Sequence, residues 1–214
     1  MLTHHHMIRR EPVQARSRAR VDTILDAADA VFLERGYAAA TTNHVAAAAG
    51  TSIGSLYRFF PDKEALLVAL AKRYGDQLLR IAREVTPADP RGHTVAGMVA
   101  LGIDTFNRFL QLYPGFRTIV EQAGHPALRE GAAAHTAAMV AIIGGAQGRV
   151  APRLSPEELA VVTEVTHAVL GTLQVLSVTR DDDFRVRVVS EAKILVTGYL
   201  ARRLGVDEDA PIGG

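Results

Sequence analysis

Cysteine is absent from this chain, which excludes disulfides and thiolate-held metals and suits a reducing compartment. No uninterrupted apolar run approaches the roughly 18 residues of a spanning helix, so no membrane segment and no membrane partner are expected. The opening residues MLTHHHMIRR lack the apolar stretch of a signal peptide, so the expected location is the cytoplasm. The histidines at 4 to 6 read equally as a native extension or a tag remnant, and Met7 can serve as an alternative start. Net charge is only +1, so bulk electrostatics does not point to nucleic acid. Catalytic signatures are missing as well: no glycine-rich phosphate loop after a strand, no nucleophile elbow and no recognisable carboxylate pair. His125 and His135 stand ten apart, without H-x-x-x-H or H-E-x-x-H spacing, so neither a metal nor a cofactor is expected.

Strand alternation beside hairpin signals is also lacking, whereas helical periodicity recurs throughout. Val21, Ile24, Leu25, Ala28, Val31 and Phe32 form one apolar stripe, stopped by Gly36. Residues 41–64, TTNHVAAAAGTSIGSLYRFFPDKE, then read as two short helices joined by a tight turn and followed by a capped third. Thr41 and Thr42 suit a helix start, Gly50 suits the exit, and Thr51-Ser52 and Asp62 suit the next two caps. A helix–turn–helix is the smallest device that offers a rigid helix end to the DNA major groove. Next to it, five arginines (9, 10, 16, 18 and 20) face one acid, Glu11, giving a local charge of +4. Such a run beside a reader motif can contact phosphates; alone it is a solvated tail.

This segment resembles the DNA-binding domain of the TetR family of bacterial transcriptional repressors. The matching residues are Thr42, Val45, Ala46, Ala49, Gly50, Ser52, Gly54, Leu56, Tyr57, Phe60, Lys63, Ala65 and Leu66, in the spacing G-x-S-x-G-x-L-Y-x-x-F-x-x-K. The likeness includes the preceding helix and ends near Leu70; beyond it only length and helical character agree. It implies an all-α protein of about nine helices, with an N-terminal three-helix DNA-binding domain and a C-terminal helical ligand-binding and dimerisation domain. The expected division is a flexible basic arm at 1–15, a reader at 16–62, an effector domain at 63–205 and a flexible tail at 206–214. Carried over by position, Thr42, Ser52, Tyr57 and Lys63 contact phosphates, while Asn43, Ile53, Gly54, Ser55 and Phe59 face base edges. Leu56 and Phe60, four apart, fill the inward face, so Tyr57 and Phe59 point elsewhere. Ile53 and Phe59 depart from the family's more polar choices, which favours A·T pairs through thymine methyl contacts, with Asn43 on adenine.

From Asp62 a long helix carries Leu66, Leu70, Tyr74, Leu78 and Ile81 up to the breaker cluster Pro87–Gly92. Further helices are expected near 93–112, 115–123, 126–148, 156–179 and 182–204. Ala160, Thr163, Ala168, Gly171 and Thr172 bring small residues to one helix, and Val188, Ala192, Leu195 and Tyr199 form a stripe on the next. By resemblance these last two helices build a homodimer across a two-fold axis, matching a palindromic double-stranded operator. By resemblance, too, the middle helices enclose a small-molecule effector, with candidates Phe106, Asn107, Phe109, Leu110, Tyr113, Arg117, Glu121, His135 and His167. Their walls suit an apolar or aromatic ligand, and Arg117 and Glu121 can satisfy each other at i, i+4. The implied function is a repressor released from its operator by that ligand. Two alternatives stand beside it: a ligand-independent regulator with a filled pocket, and an all-helical enzyme.

Overall fold

The computed structural model describes residues 11–149, 154–178 and 180–212, which form nine α-helices and one short 3-10 turn, with no strand. The chain divides into two compact units, Met1–Leu70 and Ala71–Gly214. Arg9, Arg10 and the histidines at 4 to 6 lie outside the described residues. The arm expected at 1–15 is in part helical, because α1 (Glu11–Ala39) begins at Glu11.

In the first unit, Ile24, Leu25, Ala28, Val31 and Phe32 of α1 are buried as the periodicity requires. Gly36 interrupts the helix with φ 73 and ψ 151, a region that costs other residues strain, so the chain turns a corner there. Helix α2 (Thr42–Ala48) starts under the Thr41 hydroxyl, which accepts the His44 N–H at 3.2 Å. It ends in a left-handed Gly50 (φ 58), with Gly50 N–H on the Ala47 carbonyl and Thr51 N–H on that of Ala46. Helix α3 (Ile53–Tyr57) starts under Ser52, whose Oγ accepts the Ser55 N–H at 3.2 Å. Helix α4 (Lys63–Val85) starts under Asp62, whose Oδ1 accepts the Ala65 N–H at 2.7 Å. The boundary falls after Leu70 rather than at 62, because Leu66, Leu67 and Leu70 are buried together with Val45 and Leu56. Each such side chain contributes about 1.5–3 kcal/mol of burial to the reader's core.

The second unit holds the rest of α4, then α5 (Val95–Leu112), α6 (Phe116–Glu121), the 3-10 turn Pro126–Leu128, α7 (Arg129–Gly148), α8 (Pro156–Val178) and α9 (Asp182–Leu204). Its main core joins Val95, Val99 and Ile103 of α5 to Val162 of α8 and Ala192, Val196, Leu200 and Leu204 of α9. Ile212 completes that core, which corrects the flexible tail expected at 206–214. The tail folds back: Ile212 exchanges backbone bonds with Gly92 and His93, and the Glu208 carbonyl accepts the Ala96 N–H. An open helix start on α5 and one apolar side chain hold it there. Helix α8 is the one apolar helix of membrane-spanning length among the described residues. Its best window reaches a mean hydropathy of 1.5, long and apolar enough to cross a membrane, with 17% of it buried. Its apolarity serves helix packing on one side, against α7 and α9.

Candidate nucleic-acid interface

Three caps and one left-handed glycine place the reader side chains. Leu56 and Phe60 are buried, at 0% and 7% exposed, which anchors α3 by its inner face. Asn43, Ser52, Gly54, Tyr57 and Arg58 are exposed, and Thr42, Ile53, Ser55 and Phe59 are half-buried. These residues come from α2, α3 and the turn that follows, so the structure brings eight of the nine positions named from the sequence onto one capped motif. Tyr57 and Thr42 meet directly, hydroxyl to hydroxyl at 3.1 Å, which ties α3 to the start of α2. Each hydroxyl retains capacity for a further hydrogen bond. Ser52 likewise accepts from Ser55 while its own proton remains available to an acceptor such as a phosphate.

Lys63 is the exception. Its Nζ donates to the carbonyls of Tyr37, Ala40 and Ala38 at 2.7, 3.0 and 3.2 Å, and lies 4.5 Å from the centre of the Tyr37 ring. An ammonium has three N–H donors, and all three are engaged inside the protein. In this arrangement Lys63 faces the α1–α2 corner and not the outward surface shared by the other eight positions. Tyr37 itself has its pKa raised by burial, with Glu64 and Asp62 adding to the effect. Arg58 is the residue the sequence reading missed. It caps the end of α3, is exposed, and its guanidinium lies over the Phe59 ring at 5.0 Å. As the only arginine within the helix–turn–helix segment, it carried a legible signal.

The effector candidates scatter. Phe106 and Asn107 line a cavity of about 20 Å³ together with Ile103, Gln174, Ser177 and Val188. Phe106 also joins Phe109 and Tyr113, which pack with Tyr74 and Phe116 in a cluster of mostly edge-to-face rings. Leu110 is half-buried but outside the cavity lining. Arg117 and Glu121 pair with each other at 3.1 Å on the surface, as their spacing suggests. His135 binds the Gly131 carbonyl through Nδ1 and approaches Asp76 at 3.4 Å; like His167, it does not line the cavity. The Lys72 ammonium, bonded to Asp76, holds that carboxyl below its ordinary pKa.

Among the interface candidates, Ala160, Ala168, Thr172 and Leu195 are exposed, and Gly171 and Tyr199 are half-buried. Thr163, Val188 and Ala192 are corrected: all three are buried within the single chain. Thr163 donates to Gln147 Oε1 at 2.8 Å, and Ala192 belongs to the α5–α8–α9 core. Small size at those positions serves packing inside one subunit. A separate set, Val161, Val165, Val175, Leu176, Val186 and Ile194, is exposed alongside Leu195.

A doubly capped helix–turn–helix with its polar and aromatic side chains turned outward defines a DNA-binding protein of the regulator class. The chain belongs to the TetR family: residues 24–70 match the model described as bacterial regulatory proteins, tetR family. Residues 94–200 match the tetracyclin repressor-like C-terminal domain. An uncharacterised HTH-type transcriptional regulator of Mycobacterium tuberculosis is 39% identical over 79 residues, 35% of this chain and 39% of that protein. The chain thus spans about two fifths of the length of the curated relatives it matches. A TetR-family regulator from Streptomyces coelicolor superposes with TM-score 0.65 at 27% identity, covering 86% of this chain and 98% of the other. The FadR regulator of Bacillus subtilis in complex with stearoyl-CoA gives TM-score 0.63 at 21% identity, covering 86% and 97%.

Proposed function

We propose that this protein is a homodimeric transcriptional repressor that binds a palindromic operator and acts in the cytoplasm. The observation that carries the DNA half is the outward set on α2 and α3, with Leu56 and Phe60 buried behind it. Asn43 pairs with adenine, Ile53 and Phe59 touch thymine methyls, and Tyr57, Thr42, Ser52, Arg16, Arg20 and Arg58 hold phosphates. The test is a gel shift on the DNA immediately upstream of the protein's own gene. A shift that survives competitor DNA supports the reading. Loss of all sequence preference, with Tyr57→Ala leaving affinity unchanged, overturns it. Site selection returning G·C-only half-sites overturns the A·T assignment.

The homodimer rests on the exposed apolar residues of α8 and α9, which a second copy covers. Ile194→Glu with Leu195→Glu then yields a monomer by light scattering, and an unchanged dimer refutes the assignment.

The effector is the less direct half. FadR of Bacillus subtilis was solved with stearoyl-CoA, and a further structural relative, SmeT, with triclosan. An apolar or aromatic ligand fits the Phe106-lined region, where α5, α8 and α9 must part to admit it. A ligand-independent regulator is the second reading, and one observation favours it. The cavity of about 20 Å³ holds roughly one water. Release of operator by a long-chain acyl-CoA or a chlorinated phenol, with the dimer intact, supports the first reading. No effect from a broad apolar panel supports the second.

A further inference from the structure

The α1–α2 corner presents an unusual convergence. After the Gly36 break, the carbonyls of Tyr37, Ala38 and Ala40 point at one spot, near the negative end of the α1 dipole. Three oxygens at 2.7–3.2 Å around a point are a cation cradle, and the Lys63 ammonium fills it. Lys63 is also the first residue of α4. The carbonyls it gathers directly precede Thr41, the cap of α2, and Thr42, which meets Tyr57.

We propose that Lys63 is a positioning residue for DNA reading and not a phosphate contact. It fixes the start of α4 to the α1–α2 corner, and through Thr41 and Thr42 it fixes where α2 and α3 present their side chains. The inference rests on the DNA-binding reading above. It differs from a charge role in its physical signature. A phosphate contact raises affinity for every duplex equally and adds to the salt dependence. A positioning contact raises affinity for the operator over random DNA and leaves the salt dependence alone.

The chain's lysines are Lys63, Lys72 and Lys193, which makes amine footprinting simple. Lys72, with its side chain 70% exposed, serves as the internal reference. The full-length protein is treated with an acetyl succinimidyl ester, with and without operator duplex, and modification is read by mass spectrometry. Lys63 is expected to react roughly tenfold more slowly than Lys72, because three charge-assisted bonds must break first, and operator should not change its rate. Reaction as fast as Lys72, with protection by operator, overturns the proposal.

A second arm uses variants, with thermal unfolding as the folding check. Lys63→Met should lower the operator-to-random affinity ratio with an unchanged slope of log K against log salt. Loss of about 0.9 in slope per subunit, with equal weakening on both duplexes, overturns it. Lys63→Arg separates the roles further. A planar guanidinium restores a phosphate contact fully but fits a three-carbonyl cradle poorly, so specificity should remain reduced. If the wild-type protein ignores sequence altogether, the DNA reading fails, while the footprint without DNA still tests the cradle by itself.

Discussion

Gly54 offers a test in which stability and function move in opposite directions. It is the second residue of α3, lacks a positive φ, and a Cβ built there meets nothing within 4 Å. Neither the backbone nor the packing of the protein therefore requires glycine. Gly54→Ala should gain helix propensity worth about 0.8–1.0 kcal/mol, raising the thermal midpoint by roughly 2–4 °C. In the proposed complex the same spot faces the DNA, where an added methyl meets the groove. Overpacking a close contact costs about 1–3 kcal/mol, so operator affinity should fall roughly tenfold to a hundredfold. Circular dichroism melting and fluorescence anisotropy on labelled operator measure the two effects. Gly50→Ala is the control of opposite sign, because its φ of 58 costs alanine about 1–2 kcal/mol. Unchanged operator affinity in Gly54→Ala, or a lowered midpoint, refutes the reasoning.

Removal of residues 206–214 should destabilise the second unit, since Ile212 leaves a packed core and the Gly92, His93 and Ala96 bonds go with it. Loss of a buried isoleucine costs about 2–5 kcal/mol, and a midpoint within 1 °C of wild type, a shift well below what that loss implies, would show the tail to be peripheral. His167 predicts a pH effect. Burial holds its pKa below the ordinary 6.5, while Glu164 opposes this more weakly. The unfolded chain therefore takes up the proton first, so stability is present above that value and is lost as pH falls towards the lower folded value. The midpoint should drop as pH falls through and below the ordinary imidazole value of about 6.5, and His167→Gln should flatten that slope; an equal slope in the variant would assign the effect elsewhere.

Local rules made the reader legible. Each helix of the motif announces its start with a hydroxyl or carboxylate cap, and the structure uses Thr41, Ser52 and Asp62 in those roles. The α2 exit was equally readable, since only a left-handed residue closes the paired bonds seen at Gly50 and Thr51. The carbonyl partners of Lys63 were not legible because they lie 23–26 residues earlier in the chain, and a Lys at a helix start has the same appearance in a positioning role or a phosphate-binding one. Thr163, Val188 and Ala192 failed for a related reason. A stripe at i, i+4, i+7 shows that a face is apolar and is silent on which neighbour covers it. The tail was misread because its Gly/Pro/Asp composition indicates turns, and three backbone bonds plus Ile212 decide otherwise. The effector region was least legible, since aromatic residues that line a cavity and those that fill it share one composition.

On the proposed role of Lys63, phosphate binding by the reader falls to other cations, and the geometry of α1 restricts which act together. Arg16, Arg18 and Arg20 are exposed and lie on a continuous helix that begins at Glu11. Residues four apart share a helix face, whereas residues two apart do not. Arg16 and Arg20 can therefore reach the same strand of backbone, and Arg18 points away from them. A loose arm would let all three contribute; a helix does not. The double change Arg16→Gln with Arg20→Gln should lower the salt slope by about 1.8 per subunit, at roughly 0.9 per phosphate. Arg18→Gln should leave the slope nearly unchanged. Equal losses from Arg16→Gln, Arg18→Gln and Arg20→Gln, each measured alone, would mean that α1 unwinds to bind DNA and that its helical start does not select the contacts.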